Sequence, residues 1–114
     1  RLKQVADRHD VPRRHTDFRQ LVEDPDIDVV SICSYDESHA EQTIAALKNA
    51  KHVMVEKPVA LFRRDAEAVL RAQQDSGRIL TSNLILRRSP RFIELKRMVS
   101  AGEFNALPKV PTRK

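Results

Sequence analysis

Three short runs rich in β-branched residues recur along the chain, each separated from the next by a longer stretch of helical spacing. They are Ile27-Asp28-Val29-Val30-Ser31-Ile32-Cys33, His52-Val53-Met54-Val55 and Ile79-Leu80-Thr81-Ser82. Strand and helix alternating in this way demand crossover connections, and crossovers join parallel strands. Each crossover should be right-handed, because a twisted strand feeding a right-handed helix returns to the sheet only that way. The first run is almost continuously apolar, which predicts a strand covered on both faces. The expected fold class is α/β, a parallel sheet with flanking helices. A length of 114 residues suits one domain of ordinary size.

The remaining segments fill in around these strands. Arg1 to His9 reads as a short polar helix stopped by Asp10-Val11-Pro12, and Arg13 to His15 as a very short strand. Thr16 or Asp17 caps a helix carrying Phe18, Leu21 and Val22 on one face, and Asp24-Pro25-Asp26 ends it. Ser38-His39-Ala40-Glu41 has the form of a capping box, and the helix after it should bury Ile44 and Leu47. Arg63 to Ser76 reads as a helix with Ala66, Val69 and Leu70 inward, closed by Gly77. Ser89-Pro90 opens a helix with Phe92, Leu95, Met98 and Val99 in one stripe, and Gly102 ends it. Residues 105–114, with Pro108 and Pro111, read as a loose, divergent tail on a domain spanning 1–104.

Composition excludes several classes of function. Two glycines cannot make a G-x-G-x-x-G phosphate loop, and one cysteine cannot make a disulfide framework or a Cys-rich zinc module. His9, His15 and His52 show no metal-ligand spacing with one another or with Cys33, so no metal is expected. Cys33, inside a strand, is expected to be a buried small hydrophobe. The net charge of +5 favours anionic partners. The arginine pairs Arg13–Arg14, Arg63–Arg64 and Arg87–Arg88 are nevertheless spread among acids, with only Tyr35 and four Phe for stacking. Solvated helix faces therefore explain them better than nucleic-acid binding. No segment is apolar enough to span a membrane and no signal peptide is visible, so a cytoplasmic location is expected.

In a parallel sheet the strand carboxyl ends share one edge, and ligands bind there. Polar clusters follow each run: Ser34-Tyr35-Asp36-Glu37-Ser38-His39, then Glu56-Lys57-Pro58, then Asn83 with Arg87-Arg88-Ser89. The topology therefore gathers His39, Glu56, Lys57 and Asn83 at one rim. A helix beginning near His39 would aim free N–H groups at that rim. Lys57, ending a buried strand and followed by Pro, is a stiffly placed cation able to polarise a carbonyl, orient a hydroxyl or neutralise a phosphate. Glu56 beside it could hold hydroxyl groups. The plainer reading is a Glu–Lys pair decorating a turn, and for His39 a helix-start residue stacked on its neighbours.

Asp26-Ile27-Asp28-Val29-Val30-Ser31-Ile32, then His39, then Lys51-His52-Val53-Met54-Val55-Glu56-Lys57-Pro58, then Arg87-Arg88-Ser89-Pro90-Arg91-Phe92 resemble the glucose–fructose oxidoreductase / inositol dehydrogenase / MocA family. The resemblance covers nearly all of residues 1–104. It implies an NAD(P)-dependent oxidoreductase acting on a sugar, polyol or related hydroxy compound, with NAD or NADP as cofactor. It also implies a catalytic Lys57 that positions the reacting hydroxyl, with Glu56 and Pro58 shaping the pocket beside the nicotinamide and its ribose. Ser34, Tyr35 and His39 take the place of the cofactor-flanking loop and helix start. Asn83 and Arg87 fall near the substrate side.

Members of the family have an N-terminal Rossmann domain and a C-terminal α/β domain. Their first strand, glycine-rich turn and second strand have no counterpart here, nor does the downstream Asp-x-x-x-His segment that supplies their general base. The expected fold is thus an incomplete Rossmann-like parallel sheet lacking the first two strands and the C-terminal domain. In the order 3-2-1-4-5-6 the missing strands lie in the middle, which leaves Arg13–His15 without a neighbour and opens an edge of the Ile27–Cys33 strand. The fragment alone is expected to be marginally stable, to bind dinucleotide poorly and to be inactive. Asp10 and Ala50 stand where the family has Gly, and Phe62 where it has a capping Ser or Thr. The competing reading is a non-catalytic α/β binding module, or a degenerate remnant, acting through its basic surface. Nothing in these residues sets the substrate, NAD against NADP, or an oligomeric state.

Overall fold

The computed structural model describes residues 1–103, so the expected tail at 105–114 lies outside the described residues. The chain forms two compact units, residues 1–83 and a second from Leu84 onward. The first contains α1 (Leu2–Arg8), α2 (Phe18–Glu23), β1 (Val29–Ile32), α3 (Asp36–Lys48), β2 (His52–Val55), α4 (Arg63–Ser76) and β3 (Leu80–Ser82). The second contains a 3-10 turn, Ile85–Arg88, and α5 (Pro90–Ser100).

The three strands form one parallel sheet in the order β1-β2-β3. Val30 lies opposite Val53 and Ile32 opposite Val55, while Val53 lies opposite Leu80. The ladder runs on past the strand ends: Glu56 N–H donates to Ile32 O at 2.9 Å and Asn83 N–H to Val55 O at 3.1 Å. The carboxyl ends therefore finish level with one another, as the strand–helix alternation requires.

One face of the sheet carries the core. Val30, Ile32, Val53 and Val55 point to it and meet Val22 of α2, Ala46 and Leu47 of α3 and Ala72 of α4. Leu47 and Val55 are completely buried, a position at which truncating a Leu to Ala costs about 2–5 kcal/mol. The opposite face is open. Val29 is 62% exposed, and Ser31, Met54 and Thr81 are exposed beside it. This corrects the expectation that the first strand is covered on both faces. The strands step across the sheet in one direction, and crossovers of one hand then deliver both connecting helices to the same side. Cys33 follows the same logic: expected to be buried, it is exposed.

Other local expectations shift for identifiable reasons. Arg13–His15 forms no strand; it has no strand to pair with among the described residues, and its arginines are drawn into ion pairs, Arg13 with Asp24 and Asp26 and Arg14 with Asp7. Asp17, one of the two expected caps, accepts from Arg19 N–H at 2.9 Å. The Ser38 capping box does not form: α3 begins three residues earlier, with Tyr35 at the cap and no side-chain bond there. In α4 the buried residues are Val69 and Ala72, while Ala66 and Leu70 are exposed. Gly77 closes that helix in the left-handed region at φ 62°. Phe62 caps it without a side-chain bond. No residue of α5 is buried.

The amino-terminal end of the sheet is held by Asp24. Its two carboxylate oxygens accept from Arg13 Nη1 at 2.7 and 2.8 Å, and one also accepts from Asp26 N–H at 3.0 Å. Lys51, buried just ahead of β2, donates from Nζ to Asp24 O at 2.7 Å. The Asp26 N–H bond and then the Arg13 guanidinium hold the Asp24 carboxyl below its ordinary range.

Candidate functional site

The opposite rim, at the strand carboxyl ends, gathers the polar residues singled out by their sequence position. Glu56 and Lys57 follow the central strand, so they are flanked on both sides. Glu56 is half-buried, and its Oε1 accepts from Asn83 Nδ2 at 2.6 Å. Its Oε2 accepts from Lys57 N–H at 3.3 Å. The Asn83 bond is the leading cause that holds the Glu56 carboxyl below its ordinary range, against the opposing effect of desolvation. Glu56 is therefore a fixed, ionised acceptor. Lys57 is exposed, and the only hydrogen bond it makes among the described residues is through its backbone N–H, so its ammonium is left for solvent or a ligand.

His39 occupies a different environment from the one its sequence position suggests. It lies in the second turn of α3 and is 1% exposed. Nδ1 lies 2.7 Å from Pro58 O and Nε2 lies 3.2 Å from Ser34 O. Its ring thus bridges the turn after β1 to the turn after β2. Ser34 is exposed and donates from Oγ to Gln42 Oε1 at 2.8 Å. Tyr35 is 84% exposed at the head of α3. The first turn of that helix carries Asp36 and Glu37, whose charges answer its N–H groups locally.

Among the predicted residues, His39 meets Ser34 O and Pro58 O, and Asn83 donates to Glu56; the two sets join only through the covalent Glu56–Lys57–Pro58 turn, with Lys57 between them. Arg87 belongs to the second unit, exposed in the 3-10 turn, where its N–H donates to Leu84 O. Sequence reasoning did not find the Asn83–Glu56 bond or the hub at Asp24. A buried Lys immediately before an apolar strand was the available sign of the second. Six of the thirteen arginines among the described residues meet a carboxylate: Arg13, Arg14, Arg19, Arg63, Arg64 and Arg97.

A fixed carboxylate beside a free ammonium fits the nicotinamide–ribose end of a dinucleotide, which presents hydroxyls to accept from and donate to. The diphosphate end is not furnished among the described residues. The fold and rim together define a fragment of a Rossmann-like dinucleotide-binding domain. A sequence model of the oxidoreductase family with an NAD-binding Rossmann fold matches residues 1–84, and the chain belongs to that Gfo/Idh/MocA family. It is 33% identical to inositol 2-dehydrogenase of Salmonella typhimurium over 90 residues, 78% of this chain and 27% of the relative. It is 32% identical to myo-inositol 2-dehydrogenase of Thermotoga maritima over 102 residues, 90% of this chain and 30% of that one. A crystal structure of a probable dehydrogenase from Thermotoga maritima superposes with a TM-score of 0.79 at 31% identity, over 90% of this chain and 31% of its own. The chain thus spans about a third of the length of these relatives. Among the described residues no helix is long and apolar enough to cross a membrane.

Proposed function

We propose that this chain contributes the nicotinamide-side wall of the dinucleotide site in an NAD(P)-dependent oxidoreductase acting on a sugar, polyol or related hydroxy compound. The observation that carries the reading is the Glu56–Lys57 pair at the end of the central strand, an oriented carboxylate beside an ammonium with no partner among the described residues. The likeness to inositol dehydrogenases supports a polyol-type substrate. When bound, the nicotinamide supplies the hydride acceptor or donor. Glu56, kept ionised by Asn83, accepts from ribose or substrate hydroxyls. Lys57 donates to the reacting hydroxyl oxygen and stabilises the negative charge that grows as its proton leaves for a general base. The family resemblance gives that base to a His in an Asp-x-x-x-His segment, which these 114 residues do not contain. The chain alone is therefore expected to turn nothing over.

Titration of NADH and NADPH, read by nicotinamide fluorescence, tests this cleanly because the chain has no Trp. Binding should be weaker than low-micromolar, and Lys57→Ala should weaken it by a further factor of about ten, equal to about 1.4 kcal/mol. Low-micromolar binding that is indifferent to Lys57→Ala would refute the assignment. Steep, salt-dependent binding to DNA or RNA would favour the basic-surface reading instead.

A further inference from the structure

The nitrogens of one buried ring each face a backbone carbonyl from a different turn. His39 Nδ1 lies 2.7 Å from Pro58 O, and Nε2 lies 3.2 Å from Ser34 O. A carbonyl oxygen only accepts, so the ring must be the donor in each bond it makes. One ring proton serves one of the two carbonyls, and the shorter distance gives that bond to Nδ1 and Pro58 O, with Nε2 held against Ser34 O at 3.2 Å. At 1% exposure neither ring nitrogen is open to a ligand. A side chain needed only to fill this space could be apolar, without the desolvation that a buried imidazole suffers.

We propose that His39 is a positioning residue: its ring pins the Ser34–Tyr35 turn to the Glu56–Lys57–Pro58 turn and so fixes where Lys57 presents its ammonium. The inference rests on the dinucleotide reading only in giving Lys57 a ligand to meet; the pin itself stands on the two ring–carbonyl contacts. Asn83 restrains the same turn from its other flank through Glu56. His39 acts from the β1 side and Asn83 from the β3 side, and Lys57 lies between them on the central strand. The ring therefore works through the backbone, as an orienting group does around a catalytic constellation.

The test uses the whole chain, labelled with nitrogen-15. In the wild type, ring correlation spectra should show Nδ1 protonated, with a proton that exchanges slowly with water. His39→Ala should move the amide signals of both Ser34–Tyr35 and Lys57–Val59, leave those around Asp24 in place, and weaken NADH binding about tenfold in the folded protein. His39→Gln, which retains a donor, should return binding to within about threefold. An unprotonated Nδ1 in the wild type would overturn the proposal, and this reading decides the matter even if neither variant folds. So would a folded His39→Ala whose Lys57–Val59 amides stay in place, or affinity losses that merely follow the folded fraction. Absence of NADH and NADPH binding by the wild type, with the paired amide shifts intact, would sink the dinucleotide reading and support the pin.

Discussion

Ala50 holds a φ of 57° and Asp10 a φ of 51°, in the left-handed region where a Cβ crowds the following carbonyl. Asp tolerates this region through local hydrogen bonding; Ala has no such compensation. Ala50 closes α3 and leads directly into Lys51, so the strained residue sits where the chain must reverse to enter β2. Ala50→Gly should stabilise the fold by about 0.5–1 kcal/mol, the relief of a left-handed Cβ less the extra chain entropy of glycine. Urea unfolding checks it: the midpoint should rise with an unchanged slope. A fall in the midpoint would show that the position carries no strain. Both positions were legible in the sequence because the family resemblance put Gly there. The role of His39 was not, since spacing places a residue on a helix but does not say which carbonyls its ring will meet.

At the scale of elements, the strands were the most readable part, because a β-branched run between helical stretches has few alternatives. The helix faces were less so. Periodicity gave α4 a stripe but not its centre, and the buried pair became Val69 and Ala72 because one sheet face alone receives the helix. The start of α3 was misread because Ser38 and Glu41 satisfy a capping pattern that the earlier residues Asp36 and Glu37 pre-empt. The link between elements at the amino end depends on Asp24, which ties Arg13 to the turn before β1 and, through its carbonyl, ties in Lys51 before β2. The carboxyl titrates below its ordinary range in the folded chain. Its contribution is therefore complete above the unfolded carboxyl pKa of about 3.9 and is lost as pH falls below that through the folded value. Asp24→Asn should be less stable than wild type near neutrality, with the gap narrowing as the pH drops below about 4. Urea midpoints measured across that range check the sign. A gap that widens towards acid would contradict the hub.

At the largest scale, the first unit has two poles. The amino pole carries the Asp24 hub and, beside it, an apolar groove of about 430 Å³ touched by Leu2, Val5 and Val11. The carboxyl pole carries the His39–Pro58 and Glu56–Asn83 bonds around the free ammonium of Lys57. Parallel strands make such a division unavoidable, and that is why residues as far apart as His39 and Asn83 could be assigned to one rim before any coordinates. The open sheet face could not be foreseen from an apolar run, since the run records what a strand can bury and not what is present to bury it. The most direct measurement is a nuclear Overhauser spectrum of NADH with the labelled chain. Contacts from the nicotinamide protons to the side chains of Lys57 and Pro58 are the predicted result; contacts confined to Leu2, Val5 and Val11 would contradict it.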